Sequence, residues 1–216
     1  ILMWPMVQDG VFLINNGTYF PLVDGTNARA LSEVMLRGRR RAKDLLDHLL
    51  HPYVPGFERA KIRCTSSVAG ARETRRIIGE YTLTEEDVIR GRKFKDEIAY
   101  SGRHFDLGRP RRRPDGTVDI YQPFQDRKVT LPRGLTPLPY RCLIPKGSSN
   151  IITAGRCVSV EGQTLGPLRI MATCFASGQA AGTAAALAVR SGTRFADVDV
   201  AQLLGALERD GAVVRV

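Results

Sequence analysis

The sequence lacks several features that would assign it to a familiar class. No two glycines are separated by a single residue, so the Gly-x-Gly turn that receives a dinucleotide pyrophosphate is absent. The four cysteines form no C-x-x-C pair, and the three histidines do not group with them, which argues against a zinc site. No apolar run approaches the roughly 20 residues that span a bilayer, and the first residues lack the pattern of a signal peptide. We therefore expect a soluble, cytoplasmic protein with no metal, no membrane partner and buried free thiols.

The charge is strongly positive. The net charge is +10, and 26 of the 32 basic residues are arginine. The densest clusters are Arg37, Arg39, Arg40 and Arg41, and Arg109, Arg111, Arg112 and Arg113. One interpretation is a solvated surface; the alternative is a non-enzymatic basic module that binds nucleic acid or another anionic polymer. Because no aromatic residues are interleaved and no nucleic-acid motif is present, we expect no nucleic acid partner.

Residues 150–187 have the pattern of a strand, a loop and a helix. The β-favouring run at 151–153 predicts a short buried strand that ends at Gly155. From about Leu168, a run rich in Ala, Met, Leu and Gly predicts a long helix that ends at Gly192, where glycine can supply a left-handed cap. Gly178 and Gly182 leave one helix face nearly bare, which favours close packing against a sheet, a helix or a flat ligand.

The rest of the chain predicts a mixture of strands and helices. Strands are expected on both sides of Asn16-Gly17, at 62–68, at 72–78 and at 140–145. A long helix is expected after residue 26 with an apolar face that runs from Leu31 to Leu49, a short one after a capping box at 84–87, and a last one from Asp199 to Gly211. Residues 94–99 are compatible with a helical turn or an irregular connection, and residues 102–138 with a surface hairpin or loop.

Four stretches carry a family resemblance. They are residues 55–57, residues 71–79 with 83–88, residues 138–145, and residues 150–187, which read Ala-Gly-Arg-Cys-x-Ser, Gly-x-x-Arg and Gly-Gln-Ala-Ala-Gly-x-Ala-Ala. In order and spacing they resemble the C-terminal half of a bacterial FAD-dependent oxidoreductase, in the broad class of fumarate reductase and succinate dehydrogenase flavoproteins.

The resemblance implies an α+β fold with two parts. Residues 1–139 would form a mixed β-sheet substrate or cap domain with flanking helices. Residues 140–216 would supply the closing strand and long helix of an incomplete Rossmann-like FAD domain, followed by a terminal helix. The family's N-terminal half holds the dinucleotide on a Gly-x-Gly turn, which this chain lacks. We therefore expect a missing N-terminal half as the partner, an isolated chain that binds FAD weakly or not at all and is inactive, and exposed surfaces that favour a homo-oligomer.

The resemblance also implies where the flavin and a small organic substrate would lie. Gly155 and Arg156 correspond to the end of the strand that passes the ribityl chain. Gly166, Leu168, Arg169 and Ile170 correspond to the approach to the long helix, beside the pyrimidine side of the flavin. The expected catalytic set for hydride transfer is Arg169, Arg75, Arg141 and Tyr140: the arginines would hold a carboxylate or enolate, and Tyr140 would donate a proton unless it serves only in packing.

Overall fold

The computed structural model describes residues 2–15, 20, 23–103, 105–106, 109–121 and 131–215. The backbone divides into two units, residues 1–74 and residues 75–216. The strands are β1 (Leu2–Pro5), β2 (Phe12–Asn15), β3 (Glu97–Ser101), β4 (Arg109–Arg112), β5 (Val118–Tyr121) and β6 (Thr136–Pro139). The α-helices are α1 (Ala28–Leu45), α2 (His51–Tyr53), α3 (Glu85–Ile89), α4 (Leu165–Leu168), α5 (Met171–Ser191) and α6 (Val200–Arg209).

These elements confirm the α+β class but give a simpler sheet arrangement than expected. Within the described ranges the strands form three separate antiparallel pairs, β1 with β2, β3 with β6, and β4 with β5, and no mixed sheet. The expected division at residue 139 stays a prediction about domains. The second unit joins residues from both sides of that position.

The described N-terminal hairpin pairs β2 with β1, a pairing that the sequence did not predict. β2 lies in the expected place, but its partner is β1, with Met3 opposite Ile14 and Trp4 opposite Leu13. Gly10, at φ +72°, lies in the connection between the strands, a backbone conformation that glycine adopts without steric cost. The predicted turn at Asn16-Gly17 lies outside the described residues.

The predicted long helix is confirmed, but its packed face differs from the prediction near Leu49 and Leu50. Asn27 caps α1, because its Oδ1 accepts from the backbone N–H groups of Arg29 and Ala30 at 3.0 and 3.2 Å. After α1 comes a π-helical turn, Leu46–Leu50, which continues into α2. Its wider turn rotates the apolar face, so Leu50 is buried and Leu49 remains 40% exposed. The expectation that Leu49 belongs to the packed face is wrong.

Two of the predicted strands are absent. Residues 62–68 are exposed, and no strand runs beside them in the described part of the chain. Residues 72–78 are likewise irregular; the N–H of Ile77 donates to the carbonyl of Cys157 at 2.8 Å, and Gly79 makes a single bridge to Pro145. Single bonds to a neighbouring loop satisfy the backbone here without a continuous ladder.

The middle of the chain confirms the capping box at residues 84–87. It also decides between the alternatives left open for residues 94–99 and 102–138. Thr84 Oγ1 accepts from the N–H of Asp87, and the Asp87 carboxylate accepts from the N–H of Thr84, each at 3.1 Å. Residues 97–101 form β3 rather than a helical turn or an irregular connection. The surface hairpin is present as β4 and β5, while parts of the predicted piece at 104–107 lie outside the described residues.

The strands predicted at residues 140–145 and 151–153 are absent from the structure. Residues 140–143 form a 3₁₀ turn that buries Tyr140, Cys142 and Leu143. Residues 151–153 form no strand; Ile151 is 55% exposed, and Ile152 and Thr153 are half-buried. Thr153 donates to the Leu143 carbonyl from both its backbone N–H, at 2.8 Å, and its Oγ1, at 2.9 Å. An extended segment becomes a strand only when a second backbone pairs with it.

The C-terminal helices match the sequence closely. α5 ends at Gly192, which adopts the expected left-handed conformation at φ +63°. Asp199 caps α6, and Leu203, Leu204 and Leu207 are buried. These leucines join one hydrophobic core in the second unit with residues such as Leu83, Ile98, Leu138, Val158, Leu165 and Ala184.

Two further findings concern the cysteines and membrane spans. Cys142 is buried, Cys157 and Cys174 are half-buried, and Cys64 is exposed, so the expectation of buried thiols is wrong for Cys64.

In the described ranges, no single helix is long and apolar enough to cross a membrane, although residues 162–168 and 171–191, bent by 89°, pass that test together.

Candidate functional site

Gly155 forms a tight turn that is attached to the second turn of α5. Its φ is +76°, a conformation that favours glycine. The Gly155 N–H donates to Ser177 Oγ at 2.9 Å, and Ser177 Oγ donates to the Cys174 carbonyl at 2.8 Å. A Cβ at Gly155 would lie 3.9 Å from Cys174 Sγ. The turn and the helix are therefore held in one arrangement by Cys174 and Ser177.

The approach to α5 contains a sharp bend. The segment that includes α4 meets α5 at 89°, with Arg169 and Ile170 between them. Gly166 and Leu168 are buried, so their contribution is to the shape of the backbone. Ile170 occupies the N-cap position but has no side chain that can accept a hydrogen bond, and the first turn of α5 contains no acidic residue. The first N–H groups of α5 therefore lack both an intrahelical acceptor and a side-chain cap.

Arg169 is held at this bend in a partly satisfied state. Its side chain is 11% exposed, and its Nη2 donates to Asp106 Oδ1 at 3.1 Å. Its Nε is buried and has no hydrogen-bond partner among the described residues. A buried donor without an acceptor costs about 1–3 kcal/mol, and an acceptor on a ligand would recover part of that cost.

Cys174 connects the bend to the Gly155 turn. Its Sγ donates to the Arg169 carbonyl at 3.4 Å and also faces Gly155. Burial raises the pKa of the Cys174 thiol, and the positive charge of nearby Arg156 opposes that rise. We call the group formed by Gly155, Arg156, Arg169, Ile170 and Cys174 the α5 N-terminal site.

The expected substrate-side residues lie in three different environments. Arg75 is exposed and has no ion pair or hydrogen bond within the described ranges, and it lies two residues before Ile77, which bonds to Cys157. Arg141 donates from Nε and Nη2 to the Asp96 carboxylate at 2.9 and 3.1 Å and lies 5.1 Å from the Tyr81 ring centroid. Arg75 is therefore the cation that is free to meet a ligand, while Arg141 is already paired.

Tyr140 lies in the core rather than at an open surface. It is 1% exposed, and its hydroxyl donates to the Phe195 carbonyl at 2.9 Å. Burial raises its pKa to about 12. These contacts favour the packing role over that of a proton donor.

Sequence reasoning did not identify three residues of this region. Cys174 and Ser177 are three residues apart and therefore lie on one face of α5. Once the helix had been predicted, this spacing could have indicated that the two side chains act on the same neighbouring segment. Asp106, the partner of Arg169, is 63 residues away in the sequence and carried no local signal.

The family model for FAD dependent oxidoreductases matches residues 3–207. No curated protein and no solved structure shows significant similarity to the chain.

Proposed function

Because the chain belongs to the family of FAD-dependent oxidoreductases, we propose that it forms the C-terminal part of such an enzyme, completing the flavin and substrate site for hydride transfer. The observation that carries the proposal is the α5 N-terminal site, where the Gly155 turn, the uncapped start of α5 and the partly satisfied Arg169 lie together. FAD, when bound, would accept or donate the hydride. The chain's own residues would position the flavin and the substrate.

The α5 N-terminal site fits the flavin end of the cofactor. Reduced flavin carries negative charge on its pyrimidine side, and free N–H groups at a helix N-terminus stabilise such charge. The first turn of α5 has no carboxylate to oppose it, and Arg169 offers a buried donor. Gly155 has no side chain to obstruct a ribityl chain passing the turn. Arg156 is exposed beside it and would meet a phosphate or a substrate anion.

The nucleotide end of FAD would be held by a separate N-terminal half. The sequence has no Gly-x-Gly turn for the pyrophosphate. One face of α5 is exposed and largely apolar: Met171 and Phe175 are 75% and 73% exposed, and Val189 is 84% exposed. Gly178 and Gly182 lie on the same face, and a Cβ at either would have no heavy atom within 4 Å. A face of this composition permits close backbone packing, and we propose the N-terminal half as its occupant.

The proposed substrate is a small organic molecule with a carboxylate or enolate. Of the three arginines expected on the substrate side, Arg75 and Arg169 have donors without a partner among the described residues, whereas Arg141 is paired with Asp96. A guanidinium fork holds such a group in a fixed orientation, which favours transfer of a hydride to or from an adjacent carbon.

The alternative of a basic polymer-binding module has no comparable support. Arg37 and Arg41 lie over the Phe20 ring at 5.1 and 5.0 Å from its centroid, and Arg37 also pairs with Glu33 at 3.9 Å. These local contacts favour a structural role for part of that cluster.

Coexpression with an N-terminal dinucleotide-binding half from the same reading frame tests the proposal. We expect a complex that copurifies with visible flavin absorbance, and much weaker absorbance for the chain expressed alone. In the complex, Arg169→Met should weaken FAD retention, whereas Arg190→Met, on the last turn of the same helix, should not. A complex that stays colourless after reconstitution with FAD would contradict the proposal.

A further inference from the structure

The first unit contains an open cavity of about 550 Å³. Its lining comes from two segments, the end of the long helix and the chain that follows α2. The lining residues are Lys43, Leu46, His51, Arg59, Ala60, Lys61 and Ile62. A volume of this size is typical of sites for small organic ligands.

The cavity lies where the helix widens into its π-helical turn. Leu46 is the first residue of that turn and His51 is the first residue after it. Single π-helical turns within α-helices occur frequently at functional sites. The ring of His51 is oriented by a hydrogen bond between Nε2 and the Ala60 carbonyl at 3.0 Å, which joins the two segments that line the cavity.

The charge of the lining is positive and only partly compensated. Lys43 is paired with the Asp47 carboxylate. Arg59 and Lys61 are exposed, and neither has a hydrogen bond or ion pair within the described part of the chain. These two cations are therefore available to an external anion. Leu46, Ala60 and Ile62 supply apolar surface in the same cavity.

We propose that this cavity binds a small organic acid, with its anionic head on Arg59 and Lys61 and its apolar body against Leu46 and Ile62. The site is built entirely from the first unit and is additional to the proposed flavin site. Its largely apolar lining favours a small amphiphilic molecule over a polymer, which would instead require a continuous basic surface.

Titration calorimetry on the 216-residue chain tests the proposal with octanoate, octyl phosphate, octanol and inorganic phosphate. We expect octanoate or octyl phosphate to bind, and the comparison of the two identifies the preferred head group. Octanol should bind far more weakly because it lacks the charge, and inorganic phosphate because it lacks the apolar body. Equal binding of octanol, binding of inorganic phosphate alone, or no binding would overturn the proposal.

Variants separate the two halves of the site. Arg59→Ala and Lys61→Ala should each lower the affinity for the bound amphiphile by about three- to fivefold, as for exposed charge pairs. Arg40→Ala removes an exposed arginine of α1 that does not line the cavity and should leave the affinity unchanged. Leu46→Ala should lower the affinity for octanoate by about fivefold without changing the response to salt.

The control measurements exclude loss of folding and polymer binding. Each variant should retain the thermal unfolding midpoint of the wild type within a few degrees. An equal loss of affinity in Arg40→Ala would show diffuse attraction to the basic surface and overturn the proposal. Displacement of octanoate by a single-stranded oligonucleotide at physiological salt would favour the polymer-binding alternative and overturn it as well.

Discussion

At the scale of single residues, Gly155 and Arg169 determine the shape and charge of the α5 N-terminal site. Gly155 supplies a left-handed backbone conformation against Cys174, and Arg169 supplies a buried guanidinium that is only partly paired. The unpaired Nε of Arg169 departs from the usual satisfaction of buried polar groups, whereas the left-handed conformation costs glycine little.

Comparing substitutions at Gly155 and Gly147 distinguishes the cost of the left-handed backbone from the cost of a clash with Cys174 on α5. Gly155→Val and Gly147→Val introduce a side chain at the same φ of +76°, but Gly147 has no heavy atom within 4 Å of the added Cβ. Both should lose about 1–2 kcal/mol of unfolding free energy from the left-handed conformation. Gly155→Val should lose more because its γ carbons meet Cys174. Equal losses in urea unfolding would show that the contact is unimportant.

Replacing Arg169 and replacing its partner Asp106 should change the free energy of unfolding by different amounts. Arg169→Met removes both the ion pair and the unsatisfied Nε, so its unfolding free energy should change by less than about 1.5 kcal/mol. Asp106→Ala leaves the buried guanidinium without this carboxylate and should cost about 2–4 kcal/mol. Thermal unfolding of both variants measures the difference. A larger loss for Arg169→Met would mean that the arginine itself stabilises the bend.

At the scale of secondary structure, the β3 and β6 pair is anchored by the buried carboxylate of Glu97. Arg133 donates to both oxygens of Glu97, at 2.7 and 3.0 Å, and Tyr100 donates to Glu97 Oε2 at 2.8 Å. Burial alone would raise the pKa of Glu97, but Arg133 and the other donors outweigh it and lower the pKa below the usual value. Burial and the hydrogen bond to the Glu97 carboxylate raise the pKa of Tyr100 to about 12.

The lowered pKa of Glu97 predicts acid sensitivity. Since the folded pKa lies below the unfolded value of about 4.3, the stabilisation is present above that pH and is lost as the pH falls through the folded value. Glu97→Gln should lose about 1–3 kcal/mol at neutral pH and show a smaller decline below pH of about 4.3. Unfolding in urea across this pH range measures both effects.

The control for this prediction is an exposed ion pair. Glu86 and Arg90 pair at 2.5 Å, but their side chains are 68% and 76% exposed. Glu86→Gln should therefore change stability by less than about 1 kcal/mol at any pH. If Glu97→Gln behaves like Glu86→Gln, burial of the Glu97 pair does not determine the acid response.

At the scale of the whole molecule, the exposed face of α5 links stability to assembly. Gly178→Ala places a methyl group in open space inside a helix and should raise the unfolding free energy of the isolated chain by about 0.5–1 kcal/mol. Gly178→Leu should leave the isolated chain folded but prevent close packing of an N-terminal half. Copurification of the two parts measures this loss.

The same face predicts self-association of the isolated chain. Phe175→Ser and Val189→Ser remove exposed apolar surface without removing core contacts, because the two side chains are 73% and 84% exposed. Analytical ultracentrifugation should show a concentration-dependent dimer for the wild type and a shift toward monomer for the double variant. Tyr53→Ser, which removes an aromatic side chain of α2 that is 74% exposed, is the matched control. A wild-type chain that stays monomeric at high concentration would contradict this prediction.

Much of the helical structure was determined by local sequence. The Asn27 and Asp199 caps, the Thr84 capping box and the glycine at the end of α5 act within one turn of the residues that carry them. The family was also readable from residues 55–57, 71–79, 83–88, 138–145 and 150–187, because that match rests on the order of residue types along the chain.

The tertiary structure decided which extended segments became strands and which site residues were already paired. Residues 62–68, 72–78 and 151–153 have strand composition, but a ladder needs a second backbone, and no strand lies beside them in the described part of the chain. Arg141 and Arg75 looked equivalent in sequence until Asp96 was found bound to the first and not to the second. Pairing between distant residues depends on the folded arrangement. The sequence alone predicted a site near α5, and only the structure showed that Asp106, Cys174 and Ser177 contact the residues of that predicted site.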